Sequence, residues 1–261
     1  MVFSVEKFLL ERKVAVVTGA GGRSNSIGGA YAAGLAKAGA AVVVADLNGE
    51  GAKAVADEIA RDGGEAIAVQ VDITDPKSVA AMANVACDAF GGVDILVNNA
   101  ALMVELMQYP AMEISIENWN KAIAVNLTGA LNCSHALAPI MAERGGGKIV
   151  NQISAGAYPA ESVYGITKIA LVGLTTTLAK ELGPRNINVN AIAPGSTMSG
   201  AGLSISPSDS PRVKALHDRV FLRARAEPDE LVGPLLLLCS SAGDWMTGQV
   251  LHVDGGWVIR P

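Results

Sequence analysis

The chain alternates between short apolar runs and longer stretches with helical character, and this alternation limits its possible folds more than any other feature. The short runs are almost continuous in Val, Ile and Ala, which is typical of strands buried on both faces. Strands separated by helices form right-handed crossovers, and these produce a doubly wound parallel sheet covered on both faces. The predicted strands are 13–18, 41–45, 66–71, 94–97, 148–153 and 188–192; the predicted helices are 27–38, 51–61, 76–90, about 116–144 and 162–182.

The whole chain, residues 1–261, is predicted to form one domain. It is 50% hydrophobic and 17% charged, so it can bury a sizeable core. No linker, low-complexity tract or internal repeat divides it. The segment 196–211 is rich in Ser, Gly and Pro and is predicted to be a loop.

Charge and composition exclude several function classes. A net charge of −5 argues against nucleic acid as a partner, because phosphate backbones require a broad basic face. The apolar run 231–239 is too short to span a bilayer, and Glu6 and Glu11 interrupt what a signal peptide would need. No metal-binding motif occurs. Cytoplasmic thiols are expected from three widely spaced cysteines, Cys87, Cys133 and Cys239.

Tyr164 and Lys168 lie four residues apart, on one face of a predicted helix. A free phenol has a pKa near ~10, and bringing it to neutrality corresponds to roughly 4 kcal/mol. A nearby cation acts in that direction because it favours the phenolate. Ser154 follows a predicted strand and can return beside the tyrosine as a hydroxyl donor. The three residues form a candidate acid–base site, although a YxxxK pattern taken alone favours an ordinary surface pair, because so short a pattern often occurs by chance.

The glycine-rich segment 18–30 lies between the first strand and the first helix. A doubly wound sheet binds pyrophosphate at this position, on backbone amides at the helix N-terminus. Gly19 and Gly21 match the first two glycines of GxGxxG, whereas the third position is Ser24. A flexible turn is the alternative, but the strand–loop–helix context favours phosphate binding.

Acidic and amide side chains follow the next three strands. Asp46 is placed to accept hydrogen bonds from the adenosine ribose hydroxyls and to repel a 2′-phosphate. Asp72 and the segment 98–100 (Asn-Asn-Ala) occupy the same edge of the sheet. Each of these could instead be a turn or helix-cap residue.

Asn126 lies in an otherwise apolar helical stretch, where asparagine is unfavourable. Either its side chain bonds to its own helix backbone, or it is a polar residue directed at the site. The spacing alone favours neither interpretation.

Taken together, these motifs resemble the short-chain dehydrogenase/reductase family over almost the whole chain. The resemblance includes the 190–195 segment (NAIAPG) and the 247–256 segment (TGQVLHVDGG). It implies a single-domain Rossmann-type sheet of about seven strands and an NAD cofactor. The implied cofactor contacts are Gly19, Gly21, Ser26, Ile27, Asp46, Leu47, Asp72, Ile73, Asn98, Ala100, Tyr164, Lys168, Pro194, Gly195 and Thr197.

The resemblance also implies a catalytic tetrad. Tyr164 exchanges a proton with the substrate oxygen, which Ser154 orients. Lys168 lowers the pKa of the tyrosine and holds the nicotinamide ribose, and Asn126 supports a water leading toward Lys168. The hydride chemistry belongs to the cofactor.

The chain departs from the family pattern in the phosphate loop and in the spacing from Ser154 to Tyr164, which is a few residues shorter than in many members. The phosphate loop is three residues longer, and Ser26 occupies the place of its middle glycine, as in the enoyl reductase branch. The Tyr164 to Lys168 spacing is shorter than in that branch, so carbonyl and alcohol chemistry is preferred. After Pro194-Gly195, either Thr197 or Ser199 holds the carboxamide.

The leading hypothesis is an NAD-dependent oxidoreductase that interconverts a secondary alcohol and a ketone. The alternative is a 3-oxoacyl-thioester (acyl-carrier-protein) reductase, which would favour NADPH. If the enzyme used NADP(H), Arg23 would be the residue expected to hold the 2′-phosphate of the nucleotide. A remoter alternative is a non-catalytic dinucleotide-binding regulator. In the reductase alternative, the acyl carrier protein would dock on a basic surface formed by Arg212, Lys214, Arg219, Arg223 and Arg225. Such a run of basic residues is usually just a solvated helix face.

The segment at about 199–225 is predicted to be a substrate lid, because it follows a strand end on the nicotinamide side of the crevice. Five surrounding residues favour a mainly hydrophobic, uncharged small-molecule substrate: Met103, Val104, Tyr158, Leu203 and Ile205. Small residues along the helix 170–182 (Ala170, Gly173 and Ala179) permit close helix contact, and relatives pair this helix, so a homotetramer is expected.

Overall fold

The computed structural model describes residues 4–22, 24–107, 110–158, 162–223 and 225–259. Within them, a seven-stranded sheet has the order β3-β2-β1-β4-β5-β6-β7, and every neighbouring pair of strands is parallel. The strands are β1 (Val14–Thr18), β2 (Ala41–Asp46), β3 (Glu65–Gln70), β4 (Ile95–Asn98), β5 (Gly147–Gln152), β6 (Ile187–Pro194) and β7 (Val250–Val253).

Helices cover both faces of this sheet. They are α1 (Ile27–Lys37), α2 (Gly49–Arg61), α3 (Pro76–Phe90), α4 (Ile116–Ile123), α5 (Gly129–Glu143), α6 (Val163–Leu182), α7 (Gly200–Ile205), α8 (Pro211–His217) and α9 (Val232–Cys239). The predicted single-domain, doubly wound parallel sheet is therefore confirmed. No helix in the described ranges is long and apolar enough to cross a membrane.

Successive residues of each strand pack on opposite faces, as the strand period requires. On β5, Ile149 packs in the core cluster that contains α3, α5 and α6. Val150, the next residue, packs in the cluster that contains α1, α2 and α9. The two cores explain why the strands are apolar throughout rather than alternating with polar residues.

The helix predicted over about 116–144 is interrupted. A single π-helical turn, Ala124–Thr128, separates α4 from α5. Such turns occur frequently at functional sites. The turn contains Asn126, whose side chain bonds to the backbone of Leu102 outside the helix. Because the Asn126 side chain bonds to Leu102 and not to its own helix, the helix changes locally from α to π geometry.

The segment 196–211 is not wholly a loop, so that prediction was wrong. Ser199 caps α7 by accepting a hydrogen bond from the amide of Gly202 at 3.1 Å, and Ser210 caps α8. The serines that suggested an irregular segment are thus helix N-caps, which is where serine is strongly preferred. Residues 207–209 between the helices are exposed.

Candidate active site

A cavity of about 940 Å³ runs along the carboxyl ends of the strands. It opens where the strand order reverses between β1 and β4, which is where ligands bind in open α/β sheets. One end is lined by Gly19, Asp46 and Asp72, and the other by Ser154, Tyr164 and Thr197. The structure therefore brings most of the predicted nucleotide-binding residues, together with Ser154 and Tyr164, to a single cavity.

The glycine-rich loop forms part of the cavity wall. Gly19 has a φ of +67°, and a Cβ there would lie 2.6 Å from the Cα of Ala100. A Cβ on Gly28 would lie 2.4 Å from the carbonyl oxygen of Gly19. Ser26 caps α1 by accepting a hydrogen bond from the amide of Gly29 at 3.0 Å. This cap explains how serine can stand where the family has a glycine.

Gly21 has a different position from the one predicted. It does not line the cavity, and a Cβ there would lie 2.2 Å from the backbone nitrogen of Ala52 in α2. Its amide donates to Oδ2 of Asp46 at 2.9 Å. The glycine is required for close packing of the loop on α2, and Gly22 lines the cavity instead. Arg23 lies outside the described residues.

Asp46 is held in place from two sides. Besides the contact with Gly21, its Oδ1 accepts a hydrogen bond from the amide of Asn48 at 2.9 Å. Leu47 is largely exposed and also lines this end of the cavity. Asp72 accepts bonds from the amide and hydroxyl of Thr74, and it lines the wall together with Ile73.

Asn98 and Asn99 face in different directions. The side chain of Asn98 is buried and donates to Oδ1 of Asn151 at 2.8 Å, so it lies inside the protein and not on the cavity wall. Asn99 lines the cavity, and its side chain donates to the carbonyls of Thr18 at 2.9 Å and Gly19 at 3.0 Å. Ala100 lines the cavity as predicted. The predicted cofactor contact was Asn98, which is buried inside the protein, whereas Asn99 is the asparagine on the cavity wall.

The end of β6 supplies Pro194, Gly195 and Thr197 to the cavity wall. The hydroxyls of Thr197 and Ser199 are 2.9 Å apart, and both residues are buried. Because Ser199 already caps α7, Thr197 has the hydroxyl that is less committed to holding the fold.

Ser154 and Tyr164 meet at the far end of the cavity. Ser154 follows β5 and begins a short 3-10 turn, where its hydroxyl accepts a bond from the amide of Gly156 at 3.1 Å. Tyr164 lies in the first turn of α6, and its hydroxyl is hydrogen-bonded to Ser154. Both line the cavity, so a substrate oxygen placed there reaches two hydroxyl groups.

Lys168 lies one turn further along α6 and is 1% exposed. Its Nζ donates to the backbone carbonyl of Gln152 at 2.7 Å and lies 5.5 Å from the centroid of the Tyr164 ring. Burial lowers the pKa of the Lys168 ammonium to about 7. Lys168 does not line the cavity; it lies behind the tyrosine.

The pKa of Tyr164 differs from expectation. Burial raises it well above its ordinary value, and the hydrogen bond from Ser154 acts in the opposite direction. The expected lowering by Lys168 is not found, because loss of water around the phenolate outweighs the neighbouring groups.

Asn126 makes neither of the two contacts considered from the sequence. Its Oδ1 accepts from the amide of Leu102 at 2.7 Å, and its Nδ2 donates to the Leu102 carbonyl at 2.9 Å and to Oγ1 of Thr167 at 3.0 Å. Thr167 in turn donates to the carbonyl of Tyr164 at 2.7 Å. The side chain therefore joins the loop after β4 to the helix that carries Tyr164.

Comparison with known proteins agrees with this arrangement. Residues 21–258 match the protein family described as Enoyl-(Acyl carrier protein) reductase. The uncharacterized oxidoreductase Rv0769 of Mycobacterium tuberculosis is 46% identical over 252 residues, covering 97% of this chain and 100% of the relative. The chain belongs to the short-chain dehydrogenase/reductase family. It is an oxidoreductase of that family.

Two solved dehydrogenases of similar structure hold different nucleotides. A 7α-hydroxysteroid dehydrogenase with NADH and 7-oxo glycochenodeoxycholic acid has a TM-score of 0.89 and 34% identity, with 99% of each chain covered. A gluconate 5-dehydrogenase from Burkholderia cenocepacia with NADP and tartrate has a TM-score of 0.88 and 32% identity, with 97% of each chain covered. Proteins of similar structure are therefore found with either nucleotide, together with small molecules of very different polarity.

The cavity of this short-chain dehydrogenase/reductase fits a nicotinamide adenine dinucleotide. Gly19, Gly22 and Gly28 line the wall without side chains, so a ligand can approach the backbone there. The capped N-terminus of α1 adjoins the same wall, and Asp46 lies at the end where a ribose would be bound. Among the described residues, no three His, Cys, Asp or Glu side chains converge as metal ligands.

Several residues line the cavity although they were not predicted as cofactor-binding or catalytic residues. They are Gly22, Gly28, Asn99, Gln152, Arg219, Arg225 and Trp257. Gln152 had a signal in the sequence, since it is a polar residue at the end of a strand otherwise buried on both faces. Trp257 follows the Gly255-Gly256 pair at the end of the family motif and had no signal of its own.

The low pKa of Lys168 makes stability depend on pH. Between about pH 7 and 10 the unfolded chain holds a proton on this lysine that the folded protein has released, so Lys168 should make the free energy of unfolding rise with pH across that window. Above about pH 9 the buried thiols of Cys133 and Cys239, whose pKa burial raises, act in the opposite direction, so the rise is measured between about pH 7 and 8.5. Lys168→Met should abolish this rise. The measurement is urea unfolding of wild type and variant at several pH values without added dinucleotide. For Lys180→Met, at an exposed position of the same helix, the plot of unfolding free energy against pH should be parallel to that of wild type. A parallel plot for Lys168→Met would contradict the prediction.

Proposed function

We propose that this enzyme interconverts a secondary alcohol and a ketone with NAD(H). The observation that carries the proposal is the Tyr164 hydroxyl, hydrogen-bonded to Ser154 at one end of a cavity whose other end holds Asp46. A tyrosine at this place can exchange a proton with the substrate oxygen when a ketone is reduced or an alcohol is oxidised. The serine hydroxyl beside it can orient that oxygen.

The proposed mechanism assigns each step of proton handling to this pair. In reduction, the Tyr164 hydroxyl donates its proton to the ketone oxygen, while the Ser154 hydroxyl donates a hydrogen bond to the same oxygen. In oxidation, the deprotonated Tyr164 accepts the proton of the alcohol. The nicotinamide ring, when bound, supplies the hydride donor or acceptor.

Lys168 and Asn126 complete the proposed tetrad from behind the cavity wall. The Nζ of Lys168 lies 5.5 Å from the centroid of the Tyr164 ring and donates to the Gln152 carbonyl, which supports a role near the phenol. Its proposed contact with the ribose rests on the family resemblance. Asn126 orients Leu102 and, through Thr167, the backbone at Tyr164. Its proposed support of a water near Lys168 rests on the family resemblance.

The proposed cofactor contacts follow the cavity wall. Gly19, Ser26 and Ile27 would contact the pyrophosphate, and Asp46 and Leu47 the adenosine. Asp72, Ile73 and Ala100 would border the adenine and ribose. Pro194, Gly195 and Thr197 would hold the nicotinamide end, where Thr197 is preferred to Ser199 because of the cap that Ser199 forms.

The proposed substrate is mainly hydrophobic and uncharged. Met103, Val104 and Ile205 line the cavity as expected, whereas Leu203 and Tyr158 do not. Met103 packs with Leu102 against a small cluster that includes Tyr164. Arg225 is buried in the same wall, but it donates to the carbonyl of Ser206 and so holds the segment between α7 and α8.

A 3-oxoacyl-thioester reductase is the second candidate, and the family description as an acyl-carrier-protein reductase is the observation that favours it. The basic surface expected for the carrier is dispersed, however. Arg225 is buried, Arg219 lines the cavity, and Arg223 pairs with Glu230, while the side chain of Arg212 lies outside the description. No observation favours a non-catalytic regulator.

We propose that residues 199–225, apart from the undescribed residue 224, form a lid. Ala201, Ile205 and Val213 line the cavity from this segment. Its first turn is joined to the phosphate loop, because the amide of Gly200 donates to the Ser24 carbonyl at 3.2 Å. Cofactor bound at that loop would therefore influence the lid.

A homotetramer in the cytoplasm is proposed as the working form. Gly173 has open space where a Cβ would lie, and Ile169 beside it is exposed, which supports contact between copies of α6. Ala179, also predicted for this contact, is instead buried against the sheet. Cys87, Cys133 and Cys239 are free thiols, as a reducing compartment requires, and light scattering would give the mass of the assembly.

Turnover should depend on the Tyr164 hydroxyl. In a panel of alcohols and ketones followed by NADH absorbance, Tyr164→Phe should lower kcat by about 10²-fold or more, with folding and cofactor binding retained. Tyr31→Phe is the matched control, since that buried hydroxyl has no described hydrogen-bond partner and lies in the core. Near-normal kcat in Tyr164→Phe would contradict the assignment.

Cofactor choice should depend on the Asp46 carboxylate. A 2′-phosphate would lose the ribose hydrogen bond and meet a like charge, so kcat/KM should favour NAD(H) by about tenfold or more. Asp46→Asn should reduce the preference, because it removes the charge and keeps a hydrogen-bond acceptor. Asp57→Asn, at an exposed carboxylate of α2, is the control. Equal use of NADP(H) by wild type would overturn the prediction.

The lid should be protected by ligands. Proteolysis within residues 200–211, centred on the exposed 207–209 stretch, is expected to slow when cofactor and substrate are both present. Peptide mapping of timed digests provides the measurement. Equal protection with and without ligands would mean that the segment is an ordinary ordered surface.

A further inference from the structure

Gln152 has a buried side-chain oxygen without a partner. It is the last residue of β5, it lines the cavity and it is 9% exposed. Its Oε1 is shielded and accepts no hydrogen bond from the described residues. Buried polar atoms in folded proteins are nearly always paired, so an orphaned acceptor on a cavity wall indicates that a ligand supplies the donor.

The side chain leaves the sheet on the face opposite α6. Asn151, the preceding residue, donates to Oγ1 of Thr175 in α6 at 2.9 Å, which places it on the α6 face. Gln152 therefore follows Val150 onto the face of α1 and α9, beside its strand neighbour Ile192. Tyr164 belongs to α6, so its hydroxyl and the Gln152 amide approach this end of the cavity from different sides.

This placement distinguishes two ligands. The reacting carbon of the substrate must lie beside Ser154 and Tyr164, where its oxygen receives the proton. The nicotinamide ring must lie at the same end to exchange hydride with that carbon. The substrate carbon lies next to Tyr164 of α6, so the nicotinamide ring lies on the side of that carbon away from α6. The Gln152 side chain is on this same side and therefore faces the ring.

We propose that Gln152 is a positioning residue that binds the carboxamide of the nicotinamide ring. Its Oε1 accepts a hydrogen bond from the ring's amide N–H, and its Nε2 is available as a donor to the ring's amide oxygen. Two primary amides are complementary in this way because each carries both a donor and an acceptor. The assignment rests on the proposed use of a nicotinamide dinucleotide.

Such a contact would restrict rotation of the ring about its bond to the ribose. It would select the ring face that is presented toward Tyr164, while Thr197 holds the ring from β6. Because the backbone carbonyl of Gln152 also accepts the bond from Lys168, one residue would align the ring and the lysine behind the tyrosine.

The test compares three nucleotides by titration calorimetry. NADH carries the carboxamide, reduced 3-acetylpyridine adenine dinucleotide carries a methyl group in place of its NH₂, and ADP-ribose lacks the ring. Wild type should bind NADH about tenfold more tightly than the acetylpyridine analogue, since one hydrogen bond to a buried acceptor is lost. Gln152→Met should lose this discrimination and bind NADH about tenfold more weakly, with ADP-ribose affinity unchanged.

Two further measurements separate positioning from a structural role. Gln152→Met should unfold at the same temperature as wild type or higher, because it removes an unpaired buried oxygen. Asn190→Met is the matched control: its amide is buried and fully paired, with bonds to Met246 and Gln249, so it should lose stability and keep the discrimination between nucleotides. The comparison of analogues on wild type needs no variant at all.

Equal binding of NADH and the acetylpyridine analogue by wild type would overturn the assignment. Retained discrimination in Gln152→Met would also overturn it, as would a change confined to the KM of the alcohol or ketone. If wild type bound neither ADP-ribose nor NADH, the proposed function would fail and this assignment with it. Normal binding of ADP-ribose and NADH without discrimination would reject the assignment alone.

Discussion

The reversal of strand order between β1 and β4 is the constraint on which the cavity depends. Crossovers on either side of this point run in opposite directions, so a crevice opens between the two strand ends. Hydrogen bonds hold the crevice in shape: the Thr18 hydroxyl accepts from the amides of Asn99 and Ala100, and the Asn99 side chain donates back to Thr18 and Gly19. The phosphate loop and the loop after β4 are thereby fixed relative to each other.

The reacting end of the cavity is supported in a similar way by polar groups that themselves do not line it. Lys168 joins α6 to the end of β5, and Asn126 joins the loop after β4 to α6 through Thr167. Buried side chains of this kind restrict the rotamers and backbone positions around a site. Tyr164 can therefore be buried and still meet Ser154 in a defined geometry.

The strands β1 to β6 and the helices α1, α2, α3 and α6 could be predicted to within about two residues, because strands buried on both faces leave a clear apolar signal. The choice between Asn98 and Asn99 could not, since side chains alternate between faces and a shift of one residue reverses the assignment. The π-turn at Asn126 could not be predicted for another reason. It depends on the hydrogen bonds between Asn126 and the backbone of Leu102, which is distant in sequence. Gln152 was passed over because a strand prediction does not show which buried atoms lack partners.

The two oxygens of Asp46 have consequences for how this enzyme can change during evolution. One oxygen accepts from Gly21 in the phosphate loop and the other from Asn48 at the cap of α2, so the carboxylate is also a brace for both segments. A lineage that exchanged this residue for a smaller one to admit a 2′-phosphate would at the same time loosen the loop that we propose to hold the pyrophosphate. Nucleotide preference is thus coupled to loop integrity, and a switch would require compensating changes around Gly21 before or together with the loss of the acid.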